Sequence, residues 1–147
     1  MWKPCVCKDI QNQEISDMKF TIPIQPKPKK RPQHGKGYTF TPKETREYET
    51  VVGFYARRAI KQPLTGAISI KMDFYMPIPK SWTKAKKQAA ECGELRPTGT
   101  PDIDNLAKAI LDGMNNGIAY TDDSLIVELI VREWYGEPRT EVELNEL

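Results

Sequence analysis

Apolar and polar residues alternate along Met18-Lys-Phe-Thr-Ile-Pro-Ile24, which predicts a strand. Pro23 assigns that strand to a sheet edge, because proline cannot donate to a ladder. At Thr41 the period changes. Thr41-Pro-Lys-Glu44 offers a threonine N-cap, proline at the first helical position and glutamate at the third. Tyr48, Val51, Val52, Tyr55 and Ala59 then recur at helical spacing as a core-facing stripe, with Arg46, Arg57, Arg58 and Lys61 elsewhere on the helix. From Gly66 to Pro77 the period returns to two. Ile68, Ile70, Met72, Phe74 and Met76 take one face, and Ser69, Lys71, Asp73 and Tyr75 the other. Ser81 is positioned to cap a short helix through Glu91, and residues 92–101, with Gly93, Pro97, Gly99 and Pro101, read as loop. A helix is expected from Asp104 to Met114, closed by the turn Asn115-Asn-Gly117. Ser124 to Tyr135 reads as a long strand, and Thr140 to Asn145 is expected to pair with it through a turn around Gly136-Glu-Pro138. The order β-α-β-α-α-β-β predicts an α+β fold, a mixed β-sheet with helices packed on it. That single domain spans residues 18–147. Residues 1–17 have no clear period and read as an irregular N-terminal extension.

Composition narrows the class. The chain has 147 residues, 39% hydrophobic and 29% charged, which suits a globular domain and not a disordered one. No apolar run approaches the ~18 residues of a transmembrane helix. The richest, Leu125 to Val131, is short and broken by Glu128. Lys8, Asp9 and Glu14 interrupt any apolar signal core, so a cytoplasmic protein without a membrane partner is expected. Three cysteines exclude a fully paired disulfide framework, and Cys5-Val-Cys7 lacks zinc-site spacing.

The net charge of +2 hides an asymmetry. Residues 1–101 hold 19 Lys/Arg against 9 Asp/Glu, while residues 102–147 hold 3 against 11. The first part is built to meet an anion, and the second tolerates one only with a cation between them. Residues 25–43 contain six Lys/Arg, four prolines, two glycines and no acid. They read as an extended basic loop with two aromatics, Tyr38 and Phe40, rather than as a regular element. Cations this dense repel one another unless an anion joins them, so Lys27, Lys29, Lys30, Arg31 and Lys36 are candidate phosphate contacts. Lys80, Lys84, Lys86 and Lys87 form a second group. The single histidine, His34, is assigned no role.

Chemistry concentrates in Pro101-Asp-Ile-Asp-Asn-Leu-Ala-Lys-Ala-Ile-Leu-Asp112 and Tyr120-Thr-Asp-Asp-Ser124. Within a helix, Asp102 and Asp104 would diverge by about 200°. If Asp102 lies in extended chain just before the helix, both carboxylates reach one point at the helix N-terminus. Asp104 and Lys108 are i, i+4 neighbours, with Leu106, Ala107, Ile110 and Leu111 on the opposite, buried side. One of Asp122 and Asp123, but not both, is expected to face the pair. Three clustered carboxylates repel, and a hard divalent cation relieves that penalty. Oxygen-only ligands favour magnesium, with manganese as substitute, over zinc. A calcium loop fits poorly, since Leu106 and Ala107 occupy the positions of a ligand and a glycine. Asp112 reads as structural or solvated.

These segments resemble the RusA family of Holliday junction resolvases, endodeoxyribonucleases often carried by phages and prophages. The resemblance runs from about Lys19 to the C-terminus. It rests on Met76-Pro-Ile-Pro-Lys-Ser-Trp82, the lysines at 84–87, Asp102-Ile-Asp-Asn-Leu-Ala-Lys108, Gly117-Ile-Ala-Tyr-Thr-Asp-Asp-Ser124 and Glu137-Pro-Arg-Thr-Glu-Val-Glu143. It implies a magnesium-dependent homodimer that nicks four-way junction DNA symmetrically. It implies metal-binding carboxylates at Asp102, Asp104 and Asp123 and a catalytic lysine at Lys108. Three departures stand out: the extension 1–17, Arg31-Pro-Gln33 where Arg-Pro-Arg is expected, and a longer turn at Met114-Asn-Asn-Gly117. Two other functions are compatible with the same residues, a non-catalytic structure-selective DNA-binding module and a general metal-dependent flap or single-strand nuclease.

Overall fold

The computed structural model describes residues 18–115 and 117–147. The expected extension at 1–17, with Cys5 and Cys7, lies outside the described residues. Six strands and three helices follow in chain order: β1 (Met18–Ile22), β2 (Gln33–Gly35), β3 (Tyr38–Phe40), α1 (Lys43–Ala59), β4 (Ile68–Met76), α2 (Lys84–Glu91), α3 (Ile103–Met114), β5 (Ile126–Tyr135) and β6 (Arg139–Glu146). A 3-10 turn, Asp123–Leu125, leads into β5. The fold is α+β, with a mixed four-stranded sheet of order β1-β6-β4-β5 and a separate β2-β3 ribbon.

The core forms where period-two and period-3.6 stripes meet. Ile68, Ile70, Met72 and Phe74 of β4, Val142 and Leu144 of β6, and Phe20 and Ile22 of β1 cover one face of the sheet. Tyr48, Val52 and Ala56 of α1 and Leu106, Ile110 and Met114 of α3 belong to the same buried cluster. The two helices cross closely at Gly113, where a Cβ would stand 2.7 Å from the Val52 side chain and 3.2 Å from the Glu49 carbonyl.

Two expectations are corrected. β6 does not pair with β5: β4 lies between them, parallel to β5 and antiparallel to β6, and β6 also pairs with β1. The short Gly136–Pro138 link passes over the end of β4, where the Gly136 N–H donates to the Met76 carbonyl at 2.9 Å. Burial explains the choice. β4 has the most uniformly apolar face and takes a central place. β5 leaves Val127 and Leu129 exposed and suits an edge. Likewise, the basic loop is not wholly irregular. Gln33–Gly35 and Tyr38–Phe40 form a small hairpin, with Gly37 at φ +74° in the turn. Smaller shifts concern caps. α1 starts one residue beyond Pro42, and Thr83 rather than Ser81 caps α2, its Oγ1 accepting from the Lys86 N–H at 3.3 Å. Pro23 does follow an edge strand, as expected.

Candidate active site

Asp102 occupies the N-cap of α3 with extended backbone (φ −70°, ψ 145°), as expected of a residue in extended chain just before the helix. The helix itself starts at Ile103, one residue earlier than expected. The Asp102 carbonyl accepts from the Asn105 and Leu106 N–H groups at 3.1 and 3.2 Å. Its carboxylate makes no capping hydrogen bond. Asp104 lies in the first turn, exposed and likewise without a partner among the described residues. Both line a cleft of about 510 Å³. The wall behind them is the loop Arg96–Pro101, and across from them stand Val131, Arg132 and Glu133 of β5.

That cleft is braced by residues the pattern reading passed over. Arg96 Nε donates to the Glu133 carbonyl at 2.7 Å, and its guanidinium stacks 3.6 Å from the Trp134 ring centre. Arg132 donates to both oxygens of Asp73, at 2.8 and 3.2 Å, and Trp134 Nε1 adds a third bond at 2.9 Å. Burial works against the Asp73 charge, but these donors outweigh it and hold the carboxyl below its ordinary range. Burial pushes the Glu133 carboxyl up, with Arg96 opposing. An aspartate on the polar face of an otherwise apolar strand was the available sign of the Asp73 brace. Glu133 carried no such sign, because only the fold brings it into one cleft with Asp102.

The Asp122–Asp123 pair is held from below. Tyr120 is fully buried, donates its hydroxyl to the Leu111 carbonyl at 2.8 Å, and bridges to Leu64. Burial, then the Asp123 and Asp112 charges, raise its phenol well above the ordinary value. Asp122 caps the 3-10 turn, accepting from the Ser124 N–H at 3.2 Å and from the Ser124 hydroxyl. Asp123 is therefore the member of the pair whose carboxylate is left uncommitted among the described residues.

The three aspartates do not meet. Among the described residues, no three Asp, Glu, His or Cys side chains converge closely enough to hold one metal ion. Asp102 and Asp104 share the cleft, and Asp123 is not among its lining residues. As donors, Asp102 and Asp104 fit a hard cation: both are oxygen ligands, open to solvent and unpartnered. Lys108, mostly exposed, lies 3.8 Å from Asp112 rather than against Asp104. Asp112 is structural, as expected, pairing also with Lys29 at 3.2 Å.

The basic residues divide. Lys29 is largely covered, its Nζ 2.5 Å from Glu49, and its backbone N–H donates to the Asn105 carbonyl at 2.9 Å. Burial opposes its charge, yet the two carboxylates raise its pKa. It pins the basic arm to α1 and α3. Lys30 pairs with Glu44 at 2.6 Å. Lys27, Arg31, Lys36, Lys80, Lys84 and Lys86 are exposed, Lys87 is half-buried, and Lys86 sits 4.1 Å over the Trp82 ring. β1 and β4 both end where β6 begins, through the pairs Ile22–Thr140 and Tyr75–Arg139. The arm after β1 and the lysine-rich segment after β4 thus leave the same end of the sheet. No helix among the described residues is long and apolar enough to cross a membrane.

The profile of Endodeoxyribonuclease RusA matches residues 23–145. The chain belongs to that family, and so to the endodeoxyribonucleases that resolve Holliday junctions. It is also 36% identical over 138 residues to the uncharacterized protein YqaN of Bacillus subtilis (strain 168), covering 88% of this chain and 96% of that one. Resolvases of this type are generally dependent on a divalent metal.

Proposed function

We propose that this chain is a magnesium-dependent homodimeric resolvase that cuts four-way DNA junctions by paired, symmetric nicks, with manganese able to substitute. The observation that carries this reading is the pair of unpartnered carboxylates, Asp102 and Asp104, at the mouth of one cleft in a chain of this family. Asp102 and Asp104 hold the metal, and Asp123 joins them in the DNA-bound state. The Asp123 side chain is exposed, so re-aiming it alone leaves the packing of Leu125 in the same turn undisturbed. When bound, the cation polarises the scissile phosphate and lowers the pKa of water. Lys108 supplies positive charge to the phosphate oxygens as negative charge develops. Lys27, Lys30, Arg31, Lys36, Lys80, Lys84, Lys86 and Lys87 grip the backbone from one end of the sheet. Lys29 acts indirectly, by docking the arm that carries the first of these residues.

The separation of Asp123 from the cleft favours a second reading, a junction-binding module without cleavage. One experiment separates the two: a labelled four-way junction, with matched duplex and single strand, incubated with and without magnesium. Resolution predicts paired nicks on the junction only with metal. Asp104→Asn keeps binding and loses cleavage by about 100-fold or more, while Lys108→Ala loses cleavage far more than binding. Salt-sensitive binding with no product in magnesium or manganese would establish the module instead. Metal-dependent cutting of flaps or single strands in preference to junctions would establish a general nuclease.

A further inference from the structure

α1 has a second basic surface. Arg46, Thr50, Phe54 and Arg57 follow one another at three- or four-residue steps, so they share one side of the helix. They line a groove of about 770 Å³ whose opposite wall includes Gly113 and Ile118, at and beyond the end of α3. Phe54 is 55% exposed, far more than a core aromatic. Its ring meets Tyr55 edge-on at 5.2 Å, and the Arg58 guanidinium stands 5.7 Å over it. The guanidinium groups of Arg46 and Arg57 have no ion-pair partner among the described residues.

Two acids, Glu49 and Asp112, also line this groove and would oppose an anion. Both are taken by Lys29, at 2.5 and 3.2 Å. Lys29 and Lys108, the latter 3.8 Å from Asp112, together offset the two acids and leave the arginines as the groove's working charge. A positive groove with a largely exposed ring held by an edge-on tyrosine and a neighbouring arginine is the arrangement that binds a single nucleic-acid strand, phosphates on the cations and a base on the ring.

We propose that the α1 groove is a second DNA-binding surface: Arg46 and Arg57, about three helical turns apart, hold separate phosphates of one strand, and an unstacked base between them rests on Phe54. This deepens the junction reading and rests on it, since a branched substrate presents strands to more than one face of the protein. The groove is distinct from the cleft of Asp102 and Asp104, with which it has no lining residue in common.

The test is fluorescence anisotropy in EDTA, where cleavage plays no part, with labelled junction, duplex and single strand over a range of salt. Arg46→Ala/Arg57→Ala should weaken junction binding about tenfold or more, and should flatten the salt slope by about one to two ions released. Phe54→Ala should weaken junction and single-strand binding about fivefold or more, leave duplex binding nearly unchanged and leave the slope intact. Melting curves establish that both variants are folded. Unaltered affinity and slope in the arginine variant would overturn the proposal. So would a change of mass by light scattering in Phe54→Ala, which would make this face a protein contact. If the unmodified protein prefers no junction over duplex, the junction reading fails, while the slope comparison on duplex still decides the α1 surface.

Discussion

An aspartate at a helix N-cap ordinarily accepts a hydrogen bond from the backbone two or three residues on, and replacing it by alanine costs about 1 kcal/mol. Asp102 holds that position without making that bond, whereas Asp122, some twenty residues later, makes it to Ser124. The contrast is what the proposed metal role of Asp102 requires, since its carboxylate is not spent on the cap whereas that of Asp122 is. Asp102→Ala should therefore change stability by less than about 0.5 kcal/mol, and Asp122→Ala should cost about 1 kcal/mol. Urea melts of the metal-free protein check both. Equal losses would mean that Asp102 caps after all. Asp73 makes a different residue-scale prediction. Its folded-state pKa is lowered, so its contribution is present above the unfolded carboxylate value and is lost as pH falls through the folded value. Asp73→Asn should cost about 1–3 kcal/mol at pH 7, because Arg132 and Trp134 lose a charged acceptor. The gap between variant and parent should close on acidification below about pH 4. A gap independent of pH would assign the loss to packing.

Among the elements, the crossing of α1 and α3 is the tightest joint. Gly113→Ala would favour the helix by about 1 kcal/mol on propensity alone. The new methyl, however, meets Val52 at 2.7 Å, and Glu49 backbone at 3.2 Å limits escape. Overpacking should win, with a net loss of about 1–3 kcal/mol. Because the Val52 Cβ itself stands at 2.7 Å, thermal melts should show Gly113→Ala costing less in a Val52→Gly background than in the parent, and an equal cost would place the strain elsewhere. This joint also marks where sequence stops informing. Each helix was legible from its own stripe, and β4 from strict alternation, because those patterns are local. The extended Asp102 was legible for the same reason, from its place just ahead of the helix. The partner of β6 was not legible. Nearness in sequence favoured a hairpin with β5, but burial of β4 on both edges decided the pairing. Lys29 was one cation among several in the basic loop, and only the fold shows it beside Glu49 and Asp112. Asp123 could be chosen over Asp122 by motif. The reason, that Asp122 is occupied by Ser124, is visible only in the turn.

At the scale of the whole molecule, the charge blocks of the sequence acquire positions. The basic arm and the lysines around α2 leave one end of the sheet, and the α1 arginines form a separate positive groove. One chain carries one such cleft, yet paired nicks in a junction require two. The proposed two-fold dimer would supply them in the symmetry of the substrate. The dimer makes a prediction that a monomer does not. On a supercoiled plasmid extruding a cruciform, two coupled sites cut both strands within one binding event and release linear DNA. Asp104→Asn protein, mixed in excess with unmodified protein and allowed to exchange subunits, should form heterodimers with one working site. Those should convert the product from linear to nicked circle, without a matching fall in total plasmid cut. Before exchange, a dimer mixture should lose linear and nicked products together, whereas independent monomers would raise the share of nicked circle at once on mixing, with no exchange step. The ratio of nicked to linear plasmid across the mixing series therefore reads the number of coupled active sites directly from the chemistry.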